Sequence, residues 1–206
     1  MVYRATEKTE RKKAARRARI LASARQLFAR HGYHATTVPR IVSDAASSIG
    51  SFYFYFSDKE DVFSAVLEDF GARLSAALNE GIGRERSVVD QMRAAVEALM
   101  TFLAKNPDEA RILIVESSGL GGRLEAIRRG IMASHVRGVQ TALEALKLPG
   151  IDAGIAARCW TGAAYEAVYA WLETAEANRI PAERLATAVA EFNLRGVGVL
   201  QKARRT

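Results

Sequence analysis

Four prolines punctuate a chain of 206 residues, and each stands at a break in the hydrophobic pattern rather than within it. Pro39 follows a Thr-Thr pair by one residue, Pro107 follows Asn106, Pro149 precedes Gly150, and Pro181 follows Ile180. Proline lacks the amide hydrogen that a helix interior needs, so its confinement to these points leaves long stretches free to be helical. Alanine and arginine are abundant in those stretches and β-branched runs are scarce, which favours helix nearly everywhere. The expected class is all-α, with about nine helices.

Reading along the chain, Ile20, Ala24, Leu27, Phe28 and His31 fall at helical spacing, and Gly32 is placed to end that first helix with a positive φ. Thr36 and Thr37 offer side-chain oxygens to cap a second helix running to about Ala45, with Pro39 in its first turn. Ser47 and Ser48 can cap a short third helix through about Tyr55. Ser57-Asp58-Lys59-Glu60 has the form of a capping box and opens a fourth helix to about Glu80, burying Val62, Phe63, Val66, Leu67, Phe70 and Leu74. Gly81 and Gly83 interrupt it, and further helices are expected over about 87–104, 108–116, 123–147, 152–177 and 182–203.

Charge divides the chain. Residues 1–60 hold twelve Lys or Arg against five Asp or Glu, so the whole formal charge of +7 lies there, and the remaining residues balance at eighteen of each sign. A basic excess at one end, joined to a neutral body, is the electrostatic footprint of a nucleic-acid-binding unit, although a solvated basic tail gives the same count. Two domains are expected, 1–60 and 61–206. Cys159 is the only cysteine, which rules out an intrachain disulfide and a cysteine-based metal site. Residues 1–19 lack the apolar core of a secretory signal, and the apolar run 153–172 carries Arg158 and Glu166 and reads as a buried helix. A cytoplasmic protein without membrane attachment, metal or cofactor is expected.

The segment 37–55 has the form of two short helices joined by a tight turn, in which the second can enter the major groove. Ile41, Val42, Ala45, Phe52 and Phe56 supply apolar volume for a small three-helix core. Ser47, Ser48, Ile49, Ser51, Tyr53 and Tyr55 are left for the rim, and Gly50 permits close approach of backbone to a duplex. Phe54 fits either core or rim. Upstream, Arg4, Lys8, Arg11, Lys12, Lys13, Arg16, Arg17 and Arg19 form a basic arm suited to the phosphate backbone or to the minor groove.

Residues 19–67 resemble the DNA-binding domain of the TetR family of transcriptional regulators. Ile20-Leu21, Leu27-Phe28, Gly32-Tyr33, Thr36-Thr37, Gly50, Tyr53, Tyr55-Phe56 and Lys59-Glu60 follow the family's order and spacing. The resemblance implies phosphate contacts from Thr37, Tyr53 and Lys59, with Arg40 as a further one, and a groove face of Ser47, Ser48, Gly50, Ser51 and Tyr55. The chain departs from the family's pattern at Ala46-Ser47, where Gly-Val is frequent, and at Ile49, where lysine or a polar residue is frequent. Ile49 removes a donor and offers an apolar contact to a thymine methyl instead. Thr37 as a cap alone and Tyr53 as a packing residue alone are the plainer alternatives.

For the body, the resemblance implies a helical ligand-binding and dimerisation domain, and hence a homodimeric regulator, a repressor released from operator DNA by a small-molecule effector. One reader covers too few base pairs for selectivity, which independently favours a two-fold dimer. The expected seam uses Gly154, Ala157, Gly162, Ala163 and Ala167 from the eighth helix, with Leu185, Val189, Phe192, Gly196 and Val199 from the ninth. Alternatively both helices are core. Candidates to line an effector cavity are Phe70, Phe102, Arg111, Glu116, Met132, His135, Trp160, Tyr165 and Tyr169.

Other classes find little support. His31, His34 and His135 lack metal-ligand spacing, no motif surrounds Cys159, and Gly119-Leu120-Gly121-Gly122 has no preceding strand, so no catalytic residue is assigned. A basic arm also suits an anionic membrane surface, but that reading leaves the capped pair of short helices unexplained.

Overall fold

A computed structural model describes residues 7–199. Within them the chain is helical throughout: α1 (Glu7–Ala35), α2 (Val38–Asp44), α3 (Ile49–Tyr55), α4 (Lys59–Gly83), α5 (Val88–Lys105), α6 (Pro107–Arg111), α7 (Gly122–Leu146), α8 (Ala153–Glu173) and α9 (Ala182–Gly196). A single π-helical turn, Ile112–Glu116, continues α6, and a 3₁₀ turn, Glu176–Asn178, precedes α9. Arg4, the side chain of Lys8 and the expected extension of the last helix to 203 lie outside the described residues.

Local chemistry explains most of the boundaries and corrects three of them. Gly32 carries φ 73° and ψ 172°, a conformation open to glycine, and kinks α1 where the first helix was expected to end; three more residues then continue it. Neither threonine caps α2 through its side chain. Thr37 occupies the N-cap with extended backbone but makes no side-chain cap bond, and Thr36 is fully buried and donates its hydroxyl to the Leu27 and Gly32 carbonyls, sealing the end of α1. At α4 the cap is shifted by one residue. Asp58 accepts from the Asp61 amide at 2.8 Å and Asp61 accepts from the Ser57 amide at 3.0 Å, so a carboxylate pair replaces the expected Ser57–Glu60 box. Ser48 does cap α3, accepting from the Ser51 amide at 3.1 Å.

One continuous core runs from end to end. Ile20, Phe28, Ile41, Phe52, Phe56 and Phe63 pack the N-terminal unit, and all six expected α4 side chains are buried. Phe63 meets Phe28 edge to face at 4.7 Å between centroids, so the first turns of α4 belong to the same core as α1. α4 then crosses into the body, where it packs on α5 and α7. Gly71 makes the latter contact possible, since a Cβ there would stand 2.7 Å from Ile131 Cδ1. α9 lies chiefly on α5, and α8 on α7. No helix among the described residues is long and apolar enough to cross a membrane.

Candidate functional site

In α2 and α3, Ile41, Val42, Phe52 and Phe56 point into the core, which holds the two helices and turns the opposite face of α3 outward. Ser48, Ile49, Gly50, Tyr53 and Phe54 are exposed, and Ser51 and Tyr55 are half-buried. Ser47 is not part of that face: its hydroxyl oxygen is buried without a partner. Phe54, which the spacing left open, is two-thirds exposed. A Cβ added at Gly50 would meet nothing within 4 Å, so the chain's own packing does not require glycine there.

The turn before α3 holds Ala46 at φ 44°, in the left-handed region. An alanine in that region carries strain that a glycine would not. Around α3, Thr37 and Arg40 are exposed, with Arg40 Nη2 2.8 Å from His31 Nε2. Lys59 is half-buried, donating to the Tyr33 carbonyl at 2.8 Å and lying 4.2 Å over the Tyr33 ring. Desolvation lowers its pKa and raises that of Tyr33. Lys59 thus closes the end of α1, and its ammonium keeps further donor capacity.

The basic arm is helical from Glu7 onward, an extension of α1 whose residues Thr9–Arg19 are exposed except for the partly covered Lys13. Arg17 lies 5.2 Å over the Phe56 ring, which brings the basic face of α1 beside the C-terminal end of α3.

In the body, a cavity of about 500 Å³ opens between α4, α5, α7 and α8, a volume suited to a small organic molecule. Its walls are mostly apolar, and no charged residue lines it. Of the expected lining, His135, Trp160 and Tyr165 are present. His135 Nδ1 stands 2.6 Å from the Tyr165 hydroxyl oxygen, with the rings stacked. Burial lowers the His135 pKa to about 4 and pushes that of Tyr165 up, so both are neutral at pH 7. His135 Nε2 and Thr161 Oγ1 are buried and unpartnered.

The other six do not line it. Phe70 and Phe102 pack on each other, tilted, with centroids 5.4 Å apart beneath Arg73. Arg111 pairs with Glu173 at 2.9 Å and with Glu116, whose carboxylate packs against Gly32. Met132 Sδ accepts from Arg128, and Tyr169 is on the surface. Sequence reasoning selected large and charged residues, whereas this space exists because small ones leave it open. Gly138, Ala142 and Ala145 on α7, with Ala95 and Ala164 opposite, line it, and the helical spacing of the first three was the available signal.

Between cavity and reader lies an ion-pair network that the spacing did not reveal. Arg25 of α1 reaches Asp69 of α4 at 2.9 Å and Glu109 of α6 at 2.8 Å, while Arg73 of α4 bonds Asp69 at 3.0 Å and also Glu109. Glu109 is nearly fully buried.

On the outer face of α8 and α9, Gly162, Phe192 and Gly196 are exposed, and Gly154 and Ala163 are half-buried. Ala157 and Val189 are buried in their own chain, and Ala167, Leu185 and Val199 are partly buried against its core. Ile155, Cys159 and Tyr169 complete the exposed stripe along α8 with Gly162.

Residues 20–66 match the family model described as bacterial regulatory proteins, tetR family. The HTH-type transcriptional repressor AcnR of Corynebacterium diphtheriae is 40% identical over 65 residues, 32% of this chain and 34% of that protein. The chain spans about half or less of the length of the curated relatives it matches. A regulatory protein of the tetR family from Rhodococcus RHA1 shares the fold with a TM-score of 0.75 and 26% identity, over 89% of this chain and 97% of that one. The transcriptional regulator FadR from Bacillus subtilis, solved in complex with stearoyl-CoA, has a TM-score of 0.76 at 20% identity, over 87% and 98%. The capped, outward-facing α3 thus lies within a segment, residues 20–66, that is similar to the bacterial regulatory proteins of the tetR family.

Proposed function

We propose that the protein is a homodimeric, sequence-specific DNA-binding transcriptional regulator, a repressor whose hold on its operator is relieved by a small molecule in the body cavity. The observation that carries the reading is the outward face of α3 around Gly50, where backbone is exposed with nothing of the chain's own to occupy the space beside it. Thr37, Arg40, Tyr53 and Lys59 rim that face and are the proposed phosphate contacts, joined by the basic extension of α1. Ser48, Ile49, Gly50, Ser51 and Tyr55 are the proposed groove face, to which the exposure of Phe54 adds one more residue.

The likeness to AcnR, whose name is that of a repressor, supports repression. The likeness to FadR, solved with stearoyl-CoA, and the volume of the cavity support ligand control. The uncharged lining suits an apolar or uncharged group, since a buried charge without a partner is costly. The His135–Tyr165 pair is a neutral hydrogen-bonding site: whichever ring nitrogen carries the proton, one further donor and one further acceptor remain. α4 is the physical link. Its first residue meets Tyr33 beside the reader, and Ser75, four turns on, lines the cavity about 24 Å away at ~1.5 Å per residue. The proposed seam is the stripe Ile155, Cys159, Gly162 and Tyr169 with Phe192 and Gly196.

Fluorescence anisotropy with DNA from the region upstream of the protein's own gene, against a scrambled duplex, tests the reading. Preference for the native duplex is expected, with release by any compound that raises thermal stability through the cavity. Equal binding to both duplexes would sink the DNA reading; stabilising compounds that never weaken DNA binding would sink ligand relief.

A further inference from the structure

A helix in the major groove tells base pairs apart in two ways: by hydrogen bonds to base edges, or by apolar contact with the C5-methyl of thymine. The strong hydrogen-bonding readers are Arg or Lys for guanine, Asn or Gln for adenine, and Asp or Glu for cytosine. α3 is Ile-Gly-Ser-Phe-Tyr-Phe-Tyr and contains none of them; neither do Ala46, Ser47 and Ser48 before it. Two of the serine hydroxyls before and within the turn are withdrawn as well. Ser48 Oγ accepts from the Ser51 amide and donates to Ser51 Oγ at 3.0 Å, and Ser47 Oγ is buried.

What α3 presents instead is apolar surface. Ile49, Tyr53 and Phe54 are 48%, 56% and 67% exposed, three large hydrophobic residues on a seven-residue helix whose inner side is otherwise well buried. With Gly50 they stand at i, i+1, i+4 and i+5, one face of a helix. Their rings are held rather than free: Phe54 packs edge-on against Tyr55 at 4.9 Å and Tyr53 against Phe52 at 5.4 Å. Arg17, over the Phe56 ring, and the exposed Arg40 of the neighbouring α2 put positive charge beside this patch, which favours a polyanion as the occupant over an apolar protein surface.

We propose that Ile49 and Phe54 discriminate the operator by apolar contact with thymine C5-methyl groups, so that the half-site is specified by methyl positions rather than by hydrogen bonds to purines. The proposal rests on the DNA reading above. Gly50 lets the helix backbone approach closely enough for an isoleucine and a phenylalanine to reach those methyls.

The test begins with the full-length protein and selection from a randomised duplex library. The enriched site is then rebuilt with deoxyuridine in place of thymidine, one position at a time, which removes the methyl and preserves base pairing. At the read positions each replacement is expected to weaken binding about fourfold, the worth of one buried methyl-sized group. In Ile49→Ala and Phe54→Ala, both exposed and dispensable to the core, the thymidine–deoxyuridine difference at the matching position is expected to vanish. An enriched site that binds equally well when fully substituted with deoxyuridine overturns the proposal, as does a difference that survives both variants. Failure to enrich any site defeats the DNA reading beneath it instead.

Discussion

Single residues carry two contrasting kinds of constraint here. Ala46 is strained by its backbone: L-residues in the left-handed region cost about 1–2 kcal/mol relative to glycine. Ala46→Gly is therefore expected to stabilise the protein by ~1 kcal/mol in urea unfolding, with the unfolded-state entropy of glycine offsetting part of the gain. His135 is constrained by its surroundings. Its folded pKa of about 4 lies below the ordinary value of 6.5, so the unfolded chain binds the proton more tightly. The neutral histidine therefore leaves stability intact above about pH 6.5, and stability falls as pH drops from there towards 4, by roughly 3 kcal/mol in all. Glu125 acts in a lower window. Hydrogen bonds from Arg128 and Arg129 hold its pKa to about 2, so its contribution is lost only as pH falls below about 4.5. Urea unfolding at pH 7.5, 6 and 5 should thus show a decline that His135→Phe abolishes; an undiminished decline in the variant would remove His135 as its source.

At the scale of elements, the three helices α1, α4 and α6 meet at one buried carboxylate. Glu109→Ala leaves Arg25 and Arg73 with Asp69 alone, and both arginines are partly open to solvent. A loss of about 2–3 kcal/mol is expected in urea unfolding, below the full penalty for a wholly buried pair, and wild-type stability in that variant would show the network to be ornamental. The contrast between reader and body explains what the sequence made legible. Apolar spacing, a serine cap and a proline in the first turn act within a few residues, so α2, α3 and the buried face of α4 could be read directly. Most of the cavity lining and the network were not read, because they depend on which faces of distant helices meet. Phe70 and Phe102 have the right chemistry to line a cavity, yet they pack on each other. The space lies beside Gly138, Ala142 and Ala145, where side chains are small. The shifted cap at Asp58 failed for a finer reason, since Ser57, Asp58 and Asp61 all suit a helix start and geometry alone selects among them.

For the whole molecule, the proposed seam on α8 and α9 would set how two readers are spaced. Phe192 is two-thirds exposed on α9, and Ile155, nearly as exposed, shares a face of α8 with Gly162. Phe192→Arg is expected to shift the protein from dimer to monomer in sedimentation, to weaken DNA binding at least tenfold by removing the second reader, and to leave unfolding of the isolated chain little changed. A dimer that persists in this variant would move the seam elsewhere.

The most direct test of the central claim, that the outer face of α3 enters a duplex groove, is a hydroxyl-radical footprint on the DNA flanking the protein's own gene with wild type and Gly50→Ala compared at matched stability. The wild type is predicted to protect two patches about one helical turn apart, roughly 34–36 Å, and Gly50→Ala, which clashes with nothing in its own chain, to lose that protection. Protection of the same two patches by both proteins at the same concentration would contradict it.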